Sequence, residues 1–267
     1  MTSESNGLEK KLELLGAWSG IAWMVIAGGA FVGSGLVPPR SPSMSPVDFA
    51  EFVADNKYRI LIGMLALLIG GYTFLMTWSI TLAYQVKKYA NPSYLAFCVL
   101  FAVGLSGALI GMLCGVLGSA MAYRVEALDP ATTQLLYDLI LFLFLIPWPP
   151  FMLWQFITAF AILSPTNTEV VFPRWTGYFS LWAGALELFS ALCVFFYSGP
   201  FSYSGLVTFW VPGASFFAWV LVMAVVQIKG WRRVHDGPPD PPAVRHELKA
   251  ADSAEVDAVE VPESAGV

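Results

Sequence analysis

Long apolar runs alternate with short polar connections along the chain as far as about residue 228. The runs cover about residues 16–37, 60–84, 95–122, 139–163, 176–197 and 205–228. Roughly 20 consecutive apolar residues are enough for one helix to cross the hydrocarbon core of a bilayer. The pattern therefore predicts an all-α, polytopic membrane helix bundle of about six transmembrane helices, formed by residues 1–233.

The connection after the first run has a pattern of its own. Its first part, PPRSPSMSP, contains too many prolines to be helical, whereas Ser45 followed by Pro46 is typical of a helix cap and first turn. Phe49, Phe52 and Val53 then recur at helical spacing. We expect a short amphipathic helix at about residues 45–58 that lies along the outer membrane surface with its aromatic side chains inward.

Composition narrows the classes of function. With 57% hydrophobic and 12% charged residues and a mean hydropathy of +0.66, the chain is not a soluble enzyme. His235 and His246 both lie beyond the last apolar run, so no intramembrane histidine is available for a haem, a di-iron site or a catalytic triad. Cys98, Cys114 and Cys193 lack the spacing of a metal or disulfide motif. We expect no cofactor, no metal site and no nucleic-acid partner; the expected partner is the lipid bilayer.

The basic residues indicate how the spans are oriented. With the N-terminus inside, ten of the fourteen bases fall on the inner side and four on the outer side: Lys10, Lys11, Lys87, Lys88, Arg174, Lys229, Arg232, Arg233, Arg245 and Lys249 against Arg40, Lys57, Arg59 and Arg124. Lysine and arginine accumulate in cytoplasmic loops, so we expect both termini in the cytoplasm. Small residues near Gly28 and Ala30 leave one alternative open, namely cleavage of the first run as a signal peptide.

The end of the chain has a different composition. Residues 236–267 hold eight acids and two bases and contain no aromatic residue. Such a segment buries too little apolar surface to fold. We therefore expect residues 234–267 to form a disordered, acidic cytoplasmic tail, which leaves the membrane body close to neutral.

The fourth apolar run is interrupted by the sequence PWPP at Pro147, Trp148, Pro149 and Pro150. Each proline removes an amide donor, and together they free the carbonyls of Leu143, Leu145 and Ile146 from helical hydrogen bonds. Lipid tolerates such a break only where the freed groups find other partners, so we expect this motif to face the protein interior or a cavity. It is either a packed kink or part of a substrate site built from a discontinuous helix.

Glu187 lies eleven residues into the fifth run, about 16 Å deep and near the bilayer centre. An ionised carboxyl is costly there, so we expect it to be protonated or paired. Its helical neighbours are small, which indicates that this face packs against protein. Glu187 is therefore either structural or the acid of a site shared with PWPP and Gln155, and we take Glu187, Gln155 and residues 147–150 as the candidate substrate-binding set.

Two charged residues lie at the outer ends of the second and fourth runs. Arg59 precedes the second run and Asp138 precedes the fourth. Their matched depth and opposite sign predict an ion pair, although Asp138 also suits the first turn of a helix as a simple cap.

The third run carries a stripe of small residues. Gly107, Gly111 and Gly115 recur at four-residue spacing, which allows a neighbouring helix to approach closely. The stripe is explained either by packing inside the bundle or by the seam of a homo-oligomer.

Several strings resemble an uncharacterised family of bacterial multi-pass membrane proteins: GLVPPRSPSMS at 35–45, FPRW-x-GYF at 172–179 and GPF at 199–201. The resemblance covers most of the membrane body, and genes of this family often lie near genes of steroid or aromatic catabolism. It implies a bacterial plasma (inner) membrane protein, without a known activity. The positions that match the family are Arg59, Asp138, Pro147, Pro150 and Arg174, and Glu187 is not among them.

Three classes of function follow from these residues. A protein that binds or moves a small apolar or weakly acidic compound should have an accessible path to Glu187, whereas an accessory or scaffold subunit of a membrane complex should have a sealed core and a groove for its partner. An intramembrane enzyme is third, because Asp138, Gln155 and Glu187 have no histidine, thiol cluster or phosphate loop to work with. We favour binding or movement of a hydrophobic small molecule.

Reporter fusions test the topology. Three spans separate Asp129 from Arg233, so a cytoplasmic reporter should be active when fused after Arg233 and inactive after Asp129. Activity at both positions would contradict six spans. A mature chain that starts near residue 31 would instead support the signal peptide.

Overall fold

The structure is a computed structural model that describes residues 3–236. Its α-helices are α1 (Ser3–Ser34), α2 (Pro46–Asp55), α3 (Lys57–Leu67), α4 (Leu75–Tyr89), α5 (Tyr94–Tyr123), α6 (Pro130–Leu145), α7 (Trp148–Leu163), α8 (Arg174–Glu187) and α9 (Val211–Asp236). Within residues 3–236, six helical stretches are long and apolar enough to cross a membrane. The predicted all-α bundle of six spans is thus confirmed, and the chain is an integral membrane protein. The predicted tail, residues 234–267, lies outside the described residues apart from 234–236, which end α9.

The six spans form a ring in chain order. Each span packs against the next one in the sequence, and the ring closes where α1 packs against α9. Across its middle, α4 also contacts α7 and α9. Below, the end of the bundle that carries α2 is called the α2 end, and the end at which α9 finishes is called the tail end.

The fourth span is broken where PWPP predicts it. Helix α6 ends at Leu145 and α7 begins at Trp148. The amide of Trp148 donates to the carbonyl of Ile146 at 2.8 Å, so one of the freed carbonyls is satisfied locally. Pro149 and Pro150 occupy the first turn of α7, where a helix needs no amide donor. The break is therefore the end of one helix and the start of another.

Three other spans depart from α-helical geometry, and the sequence did not predict these departures. The second span contains a π-helical turn at Leu68–Phe74. The fifth continues from α8 as a 3-10 helix at Leu188–Phe195, which is twice the length of most 3-10 segments. The sixth begins with a short 3-10 turn, Gly199–Phe201, and a π-helical turn, Leu206–Trp210.

The glycine stripe of α5 faces the interior of the bundle. A Cβ on Gly111 would lie 3.4 Å from the Cα of Gly71, in the π-helical turn of the second span. A Cβ on Gly115 would lie 2.7 Å from the side chain of Leu68, and one on Gly107 would lie 3.0 Å from Phe151. The stripe therefore serves packing between spans of one chain.

The connection after the first span folds into α2. The Ser45 hydroxyl accepts a hydrogen bond from the amide of Asp48 at 3.2 Å, which caps the helix. Phe49 and Val53 are buried, and the Phe49 ring lies 4.7 Å from that of Tyr137 in α6. Helix α2 is thereby held against the fourth span.

A charged network ties α1 to α4 at the tail end. The Lys88 ammonium lies 2.6 Å from a carboxylate oxygen of Glu13 and 3.3 Å from one of Glu9. The hydroxyl of Tyr84 donates to Glu9. Glu13 is almost fully buried, so Lys88 supplies the charge that makes its burial tolerable.

Candidate functional site

Polar and aromatic side chains converge at the middle of the ring. Trp78, Trp154 and Trp219 are fully buried, and their ring centroids lie 5.4–5.6 Å apart. The Trp78 indole donates to the side-chain oxygen of Gln227 at 2.7 Å, and the Trp219 indole donates to the Ser180 hydroxyl at 2.8 Å. Together with Gln155 and Glu187, these residues are called the central cluster below.

Glu187 is the last residue of α8 and is 5% exposed. Its carboxyl accepts a hydrogen bond from the side-chain amide of Gln155 in α7 at 3.4 Å. Gly184, one turn earlier, allows this approach, since a Cβ there would lie 3.3 Å from the Cβ of Gln155. The pairing of α7 and α8 in one hairpin thus brings Gln155 and Glu187 together, whereas the fourth and fifth runs had predicted that PWPP would lie beside Glu187.

The carboxyl of Glu187 has no cation beside it, because the salt bridges within residues 3–236 involve Lys57 and Lys88. The side-chain oxygen of Gln155 is buried and has no hydrogen-bond partner in this part of the chain. A protonated Glu187 carries the donor that this oxygen lacks, and the amide and the acid could then form two reciprocal hydrogen bonds. The pair is therefore suited to a neutral acid, which is also the form that membrane burial favours.

The PWPP motif lies apart from this pair. Gln155 is seven residues beyond Trp148, or about 10 Å along α7. Pro147, Trp148 and Pro150 are partly buried but Pro149 is exposed, so the expectation that the motif faces the interior or a cavity does not hold for all of it. Its position in the first turn of α7 explains this, because there the prolines remove amides that no helical bond would use.

The structure does not form the predicted ion pair between Arg59 and Asp138. The Arg59 guanidinium donates instead to the carbonyl of Gly33 at 2.5 Å, at the end of α1, where free carbonyls attract a cation. Asp138 accepts a hydrogen bond from the Tyr203 hydroxyl at 2.8 Å. Each residue has turned toward a span other than the one predicted.

Asp138 lies on the wall of a groove between the fourth and fifth spans. The groove has a volume of about 290 Å³ and opens near the α2 end. Its lining residues are Pro42, Leu135, Asp138, Leu139, Phe142, Cys193, Val194, Phe196, Tyr197 and Tyr203. Asp138 is the one charged residue among them, and the Tyr203 hydroxyl that bonds to it is a second polar group of this Asp138 groove. Sequence reasoning missed the groove because the 3-10 helix that forms one of its walls has no distinctive pattern.

A second groove lies between the first and sixth spans and is apolar throughout. Its volume is about 220 Å³. Its lining residues are Gly28, Phe31, Val32, Val37, Phe144, Phe209, Trp210, Gly213, Ala214 and Phe217. Neither this groove nor the Asp138 groove is lined by Glu187 or Gln155. The candidate substrate-binding set predicted from the sequence therefore does not line either of them.

The FPRW-x-GYF string shapes the connection between α7 and α8. Arg174 donates to the carbonyl of Leu163 at 3.2 Å, and the carbonyl of Phe172 accepts a bond from the Asn167 side chain at 2.8 Å. A Cβ on Gly177 would lie 3.3 Å from the carbonyl oxygen of Ala159, so the helices are in close contact.

Comparisons with protein-family models, with curated proteins and with solved structures find no match.

Substitution of Glu187 tests the acid–amide pair. Glu187→Gln keeps a donor and an acceptor toward Gln155, so the free energy of unfolding in detergent should change by less than ~1 kcal/mol. Glu187→Leu leaves the buried Gln155 amide without a partner and should cost about 1–3 kcal/mol. Denaturant unfolding followed by tryptophan fluorescence measures both, with the exposed Glu51→Gln as the control. If Glu187→Gln costs as much as Glu187→Leu, about 1–3 kcal/mol, the ionised carboxylate is required.

Proposed function

We propose that the protein binds a small apolar or weakly acidic compound in the Asp138 groove and moves it within the membrane. The groove itself carries this proposal, since it combines an apolar lining with one carboxylate. A cavity of ~150 Å³ holds one benzene ring, so about 290 Å³ suits a compound of roughly two rings. Ligand sites of this kind are mostly apolar, with a few polar groups that fix the orientation of the ligand.

Asp138 and Tyr203, on the wall of the groove, select the protonation state of the ligand. The Tyr203 hydroxyl donates to one oxygen of Asp138, and the other oxygen, which has no hydrogen-bond partner within residues 3–236, can accept a hydrogen bond from a hydroxyl group. An alcohol, a phenol or a protonated weak acid provides such a donor, whereas an anion would be repelled by the carboxylate. The groove is therefore suited to the neutral form of a weakly acidic compound.

Movement of the ligand would use the 3-10 helix between the groove and Glu187. Cys193 and Val194 line the groove, and Glu187 immediately precedes the helix that carries them. Conversion of these eight residues to an α-helix would shorten the segment by about 4 Å. Such a change would draw one wall of the groove toward the central cluster. We therefore assign Glu187 and Gln155 to the inner end of the path.

The cellular setting completes the proposal. The excess of basic residues at the tail end supports an orientation with both termini in the cytoplasm and the Asp138 groove toward the outside. The resemblance to a bacterial family whose genes accompany steroid or aromatic catabolism fits a bacterial plasma membrane and a ring-containing ligand. Uptake or retention of such a compound would serve its breakdown in the cell.

A two-ring phenol tests the proposal directly. The fluorescent probe 2-naphthol should bind the detergent-purified protein, and Asp138→Asn should weaken binding about tenfold because one charge-assisted hydrogen bond becomes a neutral one. Asp55→Asn, an exposed acid at the same end, is the matched control. Naphthalene, which lacks the hydroxyl, should bind both proteins equally. Equal binding of 2-naphthol to the wild type and Asp138→Asn would refute the assignment.

A scaffold role is the second candidate, and the apolar groove between the first and sixth spans favours it. A transmembrane helix could pack into this groove without a desolvation cost, because the lining is apolar. The helix could belong to a partner or to a second copy of the chain. The two glycines of the groove, Gly28 and Gly213, also permit a close approach of another backbone.

Filling the groove tests the scaffold role. A Cβ on Gly213 meets no atom within 4 Å, so Gly213→Leu fills the groove without disturbing the chain itself. Gly29→Leu adds the same bulk at an open position outside the groove. For a scaffold, native electrophoresis of solubilised membranes should show a larger assembly that Gly213→Leu alone disrupts. A wild type that migrates as a monomer would exclude this role.

A further inference from the structure

A third groove lies at the tail end, where α8 begins and α9 finishes. It has a volume of about 320 Å³, and its residues include Trp175 of α8 and, on α9, Val222, Val225, Lys229 and Arg233. We propose that this groove binds one anionic glycerophospholipid, with the phosphate between Lys229 and Arg233 and an acyl chain along the apolar side chains of α9. The proposal is independent of the Asp138 groove, which lies at the other end of the bundle.

The basic end of the groove provides the charge for a phosphate. Lys229 and Arg233 are four residues apart on α9 and therefore lie on the same face of the helix. Both are exposed, and within residues 3–236 neither makes a salt bridge. One guanidinium nitrogen of Arg233 donates to the carbonyl of Val170 at 3.1 Å, which positions the group, and its other N–H donors make no hydrogen bond within residues 3–236.

The start of α8 adds to this anion-binding character. Its first turn borders the groove through Pro173 and Trp175, and Pro173 provides no side-chain cap for the helix. The free amides at a helix N-terminus favour a negative charge. Neither Asp nor Glu lines the groove. The charge of the site therefore favours an anionic headgroup over a zwitterionic one.

The apolar end of the groove favours a lipid over a free phosphate. From Lys229 the groove follows α9 back to Leu221, about 12 Å along the helix axis. Trp175 is 54% exposed at its edge, as tryptophan commonly is at the level of lipid headgroups. A phosphate at the basic end would thus place an acyl chain against valine and leucine side chains.

The α7–α8 connection beside the groove is held in place by close packing. A Cβ on Gly230 would lie 2.6 Å from the Cα of Val171, so the α7–α8 connection is pressed against α9. Val171 is buried in this contact. Because the connection carries the carbonyl that holds Arg233, the basic end is formed before any lipid binds.

Native mass spectrometry of the full chain in detergent tests the site. Dioctanoyl phosphatidylglycerol should bind with one retained molecule and with about tenfold preference over dioctanoyl phosphatidylcholine, owing to the charge-assisted bonds to its phosphate. Lys229→Gln should remove most of this preference without changing the melting temperature of the lipid-free protein, because Lys229 holds no other residue in residues 3–236. Lys229→Gln/Arg233→Gln should abolish it, whereas Arg232→Gln, next to the groove residues but not lining it, should retain it.

Two further measurements distinguish a lipid site from a site for free phosphate compounds. Glycerol 3-phosphate carries the same phosphate without acyl chains and should bind far more weakly than the lipid. If it binds as tightly, the site is one for free phosphate compounds and the lipid proposal is overturned. Equal retention of the two lipids by the wild type, or an Arg232→Gln variant that loses as much preference as Lys229→Gln, would overturn it as well.

Discussion

Inside a bilayer every backbone amide and carbonyl needs a partner from the protein itself, and the shape of each span follows from this constraint. The fourth span meets it by ending α6 at Leu145 and starting α7 with prolines in its first turn. The second and fifth spans meet it differently, since a π-helical turn and a 3-10 helix keep backbone bonds while changing the pitch. The spans therefore depart from α-helical geometry only where the backbone groups keep hydrogen bonds of another spacing, or where, as in the first turn of α7, the helix needs no amide donor.

The same constraint applies to side chains at the centre of the ring. The indoles of Trp78 and Trp219 have partners, whereas the Trp154 indole and the side-chain nitrogen of Gln227 have none within residues 3–236. Buried polar groups in this state are commonly satisfied by internal water. Together with the Glu187–Gln155 pair, they give the interior of the bundle a set of buried polar groups. A proton or a small hydroxyl compound could form hydrogen bonds with these groups, whereas the groove between the first and sixth spans is apolar.

Local chemistry explains which features the sequence predicts. Twenty-residue apolar runs, the PWPP break and the Ser45 cap each depend on residues that are close in the chain, and each appears in the structure. The 3-10 helix, LFSALCVF, has the composition of an ordinary apolar helix, so nothing local distinguishes it. The partners of Arg59 and Asp138 depend on how helices are rotated about their axes, and one residue of error turns a side chain by about 100°. The contact of Glu187 with Gln155 depends on the same rotation, and the sequence had placed PWPP beside Glu187 instead.

The distribution of charge across the bundle links its two ends. Near the α2 end the Asp138 groove carries one carboxylate in an apolar wall, while the tail end carries Lys229 and Arg233, which make no salt bridge within residues 3–236. Between them the carboxyl of Glu187 is buried without a cation, a position that a neutral acid tolerates and a carboxylate does not. A compound that crossed between these ends, as we propose, would therefore have to be neutral when it left the groove. Anionic groups are instead attracted to the basic tail end, which is the end that faces the negatively charged cytoplasmic leaflet in the proposed orientation.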